Sequence, residues 1–124
     1  MAYSDVIFSA LDYTTEGDLS GNQYNFVKRG TGQTIAVAAE GDAAVGVLWN
    51  DPAASGRAAT VVVGGRPHVY AGAAILDGAE VMSDANGKAV TATSTKTVLG
   101  YALHGAASGE LVQIELLPAA QFTK

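Results

Sequence analysis

Cysteine is absent from this chain, and with it go disulfide staples, thiol nucleophiles and thiolate metal sites. Aromatic residues are scarce: nine in all, one of them tryptophan. Much of the 48% hydrophobic content is Ala and Val, so the available core is thin. Burying a large aliphatic or Phe side chain contributes about 1.5–3 kcal/mol, and Ala contributes far less. Small domains with thin cores often gain stability by associating. Positive charge is also short, with 7 Lys and Arg against 12 Asp and Glu. No basic cluster exceeds Lys28-Arg29. Nucleic-acid binding draws much of its affinity from cations placed on phosphates, which argues against a nucleic-acid partner. Long apolar runs are missing too, and none approaches the roughly 20 residues of a membrane span. Met1-Ala2-Tyr3-Ser4-Asp5 lacks the basic-then-apolar layout of a signal peptide. A soluble, intracellular chain with no membrane partner is expected, and 124 residues suit one domain.

What is present divides into two zones. Residues 1–32 hold Tyr3, Phe8, Tyr13, Tyr24 and Phe26, more than half of the aromatics, around the polar stretch Thr14–Asn22. Val6-Ile7-Phe8-Ser9-Ala10-Leu11 reads either as a short helix capped by Ser4 or as an extended segment. Apolar residues set off by a polar linker suit an N-terminal arm that docks elsewhere; a strand or helix on the domain's own core is the alternative. The arm reading makes Tyr3, Ile7, Phe8, Leu11 and Tyr13 candidate partner-binding residues.

Residues 33–124 read as a body of short strands. Candidates are Thr34–Ala38, Val45–Trp49, Ala58–Val63, Arg66–Tyr70, Glu80–Ser83, Ala89–Thr93, Val98–Leu103 and Leu111–Leu116. Val and Thr are stiff at χ1 and favour pleated backbone. Gly64-Gly65 and Asn86-Gly87 carry the composition of tight hairpin turns. The expected fold is all-β, a small barrel or sandwich of short antiparallel strands with an extended N-terminal arm. An internal echo accompanies it. Gly46-Val47-Leu48-Trp49, then Ala53-Ala54-Ser55-Gly56 and a strand, is matched by Gly100-Tyr101-Ala102-Leu103, then Ala106-Ala107-Ser108-Gly109 and a strand. The echo predicts a repeated hairpin meeting its partner across one barrel.

Chemistry is hard to find. His68 and His104 stand outside any HxH or HExxH spacing and read as surface or interface imidazoles. Ser55 and Ser108 lack the frame of a nucleophile elbow and read as turn formers. Asp77, Glu80 and Asp84 flank a strand as a solvated edge would, without calcium-loop spacing. Gly30-Thr31-Gly32 is not a phosphate loop. Lys88 sits beside a turn whose tip is Asn86-Gly87, unlike the modified lysine of carrier domains. No enzyme activity, cofactor or metal is expected. Trp49 reads first as a core or core-rim residue and second as an interface anchor, since Trp dominates binding hot spots.

The run from Gly46-Val47-Leu48 through Ala53-Ala54-Ser55-Gly56, Ala71-Gly72-Ala73-Ala74-Ile75-Leu76-Asp77-Gly78 and Val98-Leu99-Gly100-Tyr101-Ala102-Leu103 to Ala106-Ala107-Ser108-Gly109 resembles phage capsid decoration (head cement) proteins. The resemblance spans residues 34–117. It implies a β-barrel-like body, often trimeric, on the outside of an icosahedral head, with the major capsid protein as partner. A looser likeness to lambda-type decoration proteins implies an arm bridging neighbouring capsid subunits. The chain would be made in the host cytoplasm and reside on the virion surface. Competing expectations are a carbohydrate- or cell-surface-binding module using Trp49, Tyr70 and Tyr101, and another head or tail subunit.

Overall fold

The computed structural model describes residues 6–50, 56–117 and 121–124, with side chains in the first strand from residue 10 onward. Among these residues all regular structure is strand, as the β-branched composition requires. The first five strands are β1 (Val6–Thr15), β2 (Phe26–Arg29), β3 (Thr34–Val37), β4 (Gly46–Leu48) and β5 (Ala58–Arg66). They close into a barrel in the order β1-β3-β2-β4-β5, which leaves no unpaired edge. Then follow β6 (His68–Tyr70), β7 (Glu80–Ser83), β8 (Ala89–Thr91), β9 (Thr97–Val98), β10 (Gly100–Ala102), β11 (Leu111–Leu116) and β12 (Phe122–Thr123). Five of these form a sheet in the order β6-β11-β10-β7-β8, and β9 pairs with β12 as a ribbon.

The second sheet repeats the first barrel. In the barrel, β2 pairs antiparallel with β3 and β4, β4 with β5 and β5 with β1, and the parallel step Thr15↔Ile35 closes the ring. In the sheet, β7 pairs antiparallel with β8 and β10, β10 with β11 and β11 with β6. There an isolated parallel bridge between Ala71, the residue after β6, and Ala89 of β8 brings the two edges of the sheet together and closes a second ring. Registers coincide. Val27↔Gly46 answers to Val81↔Gly100, and Leu48↔Val61 to Ala102↔Ile114. Hydrogen bonds beyond the ladders coincide as well. The Trp49 N–H donates to Thr60 O at 2.8 Å, and the Leu103 N–H to Gln113 O at 2.9 Å. The Gly56 N–H donates to Thr15 O at 2.9 Å, and the Gly109 N–H to Ala71 O at 2.8 Å.

The interiors match position by position. Val27, Ile35, Leu48, Ala59 and Val61 fill the first barrel, and their counterparts Val81, Ala89, Ala102, Val112 and Ile114 fill the second. Side chains alternate across a strand, so the ladder Phe26–Val47–Val62 lies on the opposite face, outward. All three are fully buried, and Phe26 and Val47 join the apolar cluster of the second barrel. The corresponding ladder of the second barrel is Glu80–Tyr101–Glu115, partly exposed. One copy thus turns an apolar outer face to its neighbour, and the other turns the same face to water.

Backbone hydrogen bonds seal the joint. The Tyr70 N–H donates to Tyr24 O at 3.0 Å, the Phe26 N–H to Gly87 O at 2.6 Å and the Gly41 N–H to Ser83 O at 2.9 Å. Asn25 Nδ2 donates to Asn86 O at 3.4 Å. The tip of the β7–β8 hairpin is therefore planted on the end of the first barrel's β1–β2 connection.

The all-β class and most strand positions agree with expectation, while three readings are corrected. The proposed arm, from Val6 onward, is barrel wall. β1 pairs with β5 from Val6↔Arg66 to Thr14↔Ala58, which gives its polar backbone partners that a free arm lacks. A boundary after residue 32 would cut the β2–β3 hairpin, and Leu19, inside the polar stretch, is buried in the first core. Second, Gly64-Gly65 is not a turn. Both residues lie within β5 opposite Ser9 and Ile7, where the register shifts and Gly65 adopts a φ of 112°. Third, the echoed hairpins β4–β5 and β10–β11 occupy equivalent places in two successive barrels, not facing places in one. Asn86-Gly87 does lie in a hairpin loop, held by Asp84 Oδ1, which accepts from the Asn86 and Lys88 N–H groups at 2.8 and 2.9 Å.

Candidate docking surface

Apolar side chains left in water are the features a binding surface is built from. Trp49 is 42% exposed, which corrects the core reading. It follows β4 at the barrel end and is rigidly framed. Its N–H is held by Thr60 O, and its carbonyl accepts from Gln23 Nε2 at 2.8 Å. The next residue, Asn50, accepts the Thr60 N–H at 2.9 Å and donates to Ala58 O at 3.1 Å. A backbone already braced in this way has less left to order on binding.

Leu11 is half exposed on β1 and lines an open groove of about 350 Å³ with Asp12, Tyr13, Arg29, Gly32 and Gln33. Tyr13 is half-buried there, packed against the first core. The structure brings Leu11 and Tyr13 together, whereas Trp49 belongs to a different strand end. Tyr3 lies outside the described residues. Ile7 and Phe8 are placed by their backbone in β1, and their side chains lie outside the described set. Sequence reasoning missed Arg29, Gly32 and Gln33 because only the β2–β3 turn brings them to β1. It also missed exposed Leu76, Leu103, Leu111 and Phe122, of which Leu103 is the counterpart of Trp49.

The polar groups are occupied structurally. The His104 ring is held at both nitrogens, with Nδ1 2.9 Å from Gly105 O and Nε2 accepting the Gln113 N–H at 3.0 Å. Among the described residues no three His, Cys, Asp or Glu side chains converge as a metal site. Asp42 is held below the usual carboxylate range, first by the hydrogen bond from Lys28 Nζ at 2.9 Å and then by the Ala39 N–H. Asp18 is lowered by hydrogen bonds from Ser20.

A family model described as phage cement protein matches residues 8–116 of this sequence. The chain belongs to the phage cement protein family. No curated protein matches it. Among solved structures, the head fiber gp8.5 N base of bacteriophage phi29 is similar in fold, with a TM-score of 0.74 at 22% identity. That similarity covers 89% of this cement protein and 94% of the phi29 chain. The family match takes in nearly all of both barrels of this cement protein, and membership makes it a structural protein of the phage head. The resemblance read from the glycine and alanine turns is thereby shown.

Proposed function

We propose that the chain is a homotrimer that attaches to the outside of an icosahedral phage head and cements the major capsid lattice. The observation that carries this reading is the family match over residues 8–116 on a fold whose one tryptophan is exposed on a braced barrel end. The mechanism is mechanical and includes no chemical step. A closed barrel resists shear because every strand is paired on both sides. Copies seated across subunit boundaries add buried area where internal DNA pressure pulls subunits apart. Trp49 is the first candidate anchor, and Tyr3, Ile7 and Phe8 near the chain start supply further apolar contact to the capsid. Synthesis in the host cytoplasm precedes capture by the head.

Co-sedimentation of the purified chain with expanded heads tests this reading. Wild type is expected to saturate the heads. Trp49→Ala is expected to bind more weakly by at least about 2 kcal/mol, the scale of a binding hot spot. Wild type that stays in the supernatant at every head concentration overturns the proposal. Of the three aromatics that the glycan-binding alternative would use, Tyr70 packs edge-on against Tyr24, with centroids 6.1 Å apart, at the barrel joint.

A further inference from the structure

The outer face of the second barrel runs across β6, β11 and β10. Leu111↔Tyr70 and Gln113↔His68 are cross-strand partners, and the Leu103 N–H on Gln113 O carries the β10–β11 ladder one step past Ala102↔Ile114. Val69, Ala102, Val112 and Ile114 are buried inside, so alternation turns Tyr70, Leu103, Leu111 and Gln113 outward. Leu103 and Leu111 are each 38% exposed there. The first barrel reaches the same face. One step beyond its buried ladder Phe26–Val47–Val62 stand Tyr24 and Trp49, where burial gives way to exposure. Tyr24 O accepts the Tyr70 N–H and the two rings meet edge-on, so Tyr70 links the strand end of Trp49 to Leu111.

We propose that the series Trp49, Tyr24–Tyr70, Leu111 and Leu103 is one docking surface shared by both barrels, and that its occupant is a protein subunit of the phage head. The inference rests on the head attachment proposed above and adds the two leucines of the second barrel to Trp49. No charge interrupts the series, and the charges that follow on the same ladders, Arg66 and Glu115, are paired with each other at 3.3 Å. An apolar, aromatic centre with its charges at the rim is the composition of a protein–protein contact, not of a site for nucleic acid. Membership of the phage cement family makes the head the protein surface in question. Both ends of the series are braced alike: Asn50 Oδ1 accepts the Thr60 N–H beside Trp49, and His104 Nε2 accepts the Gln113 N–H beside Leu103. Unlike side chains thus hold an exposed apolar residue in place at equivalent positions of the two repeats. A subunit seated there bears on both barrels at once.

Co-sedimentation of the intact chain with expanded heads is the test, run on single variants of the second barrel. Leu103→Ala and Leu111→Ala shorten exposed side chains and are expected to keep the wild-type circular dichroism spectrum. Each is expected to weaken head binding roughly five- to thirtyfold. Phe122→Ala is the control: Phe122 is 39% exposed but lies on the β9–β12 ribbon, and the variant is expected to bind as wild type does. Folded leucine variants that bind like wild type overturn the shared surface and leave head attachment standing. Wild type that binds no heads overturns both. Leucine variants whose light-scattering mass falls while their head affinity holds assign the leucines to a contact between copies, which also overturns the proposal. So does a loss in Phe122→Ala as large as theirs.

Discussion

Tyr24 adopts a φ of 65° at the position where its counterpart in the second barrel, Gly78, adopts 80°. The Tyr24 N–H donates to Leu48 O at 2.7 Å, and the Gly78 N–H to Ala102 O at 2.9 Å, so the two residues share one backbone role. Glycine fills that role without steric penalty, whereas a side chain in the left-handed region costs about 1–2 kcal/mol. Tyr24 keeps its ring because the barrel joint uses it against Tyr70. Gly78 has no ring, and its position faces solvent.

Thr95 shows the same relationship in the other direction. Its φ of 71° equals that of Gly41, its counterpart in the first barrel. Thr95 is exposed, and β-branched residues tolerate positive φ poorly. Thr95→Gly is therefore expected to stabilise the protein, with strain relief outweighing an unfolded-state entropy loss of about 0.5–1 kcal/mol. Urea denaturation checks the sign: a higher midpoint is expected, and a lower one contradicts the strain.

Gly46 and Gly100 form a second matched pair. An added Cβ would collide with the backbone carbonyl of Val62 at the first and of Glu115 at the second. Neither carbonyl can move without breaking its ladder. Gly46→Ala and Gly100→Ala are each expected to lower stability by about 1–3 kcal/mol, as overpacking does. Thermal melts of both variants should show similar losses.

Among the described residues Phe26 is the one aromatic of the largest fully buried side chains, and it projects from the first barrel into the apolar cluster of the second. Phe26→Ala should cost about 3–5 kcal/mol. Because the loss falls at the joint, amide exchange is expected to rise on both sides of it, at Tyr70 and Gly87 as well as at Tyr24.

Asp42 supplies a pH dependence. Its folded pKa lies below the ordinary aspartate value, so its pairing with Lys28 stabilises the fold fully above that ordinary value. The contribution disappears as pH falls from there through the folded pKa. Both partners are more than a third exposed, so the effect stays within the range of about 0–1 kcal/mol of surface pairs. Chemical denaturation of wild type and Asp42→Asn at pH 6 and pH 2.5 should show a gap that closes at the lower pH.

The strands were legible because Val, Thr and Gly punctuate them locally. Glu80–Ser83 and Leu111–Leu116 lie at their expected bounds. The repeat was legible only in its β4–β5 and β10–β11 part, where small residues are forced by close backbone approach. Elsewhere the copies share inward positions such as Val27 and Val81. Their outward positions have diverged, because one face meets protein and the other meets water: Phe26 against Glu80, Val47 against Tyr101, Val62 against Glu115. Gly64-Gly65 misled because a register shift within a long strand and a tight turn both favour glycine. The groove was invisible because it joins β1 to a turn brought there only by the parallel closure of the barrel.

Reconstruction of expanded heads, imaged with and without the purified chain, tests the central claim most directly. The account predicts added density on the outer surface at three-fold or quasi-three-fold positions, large enough for paired barrels. Heads that look the same with saturating protein as without it would contradict the account.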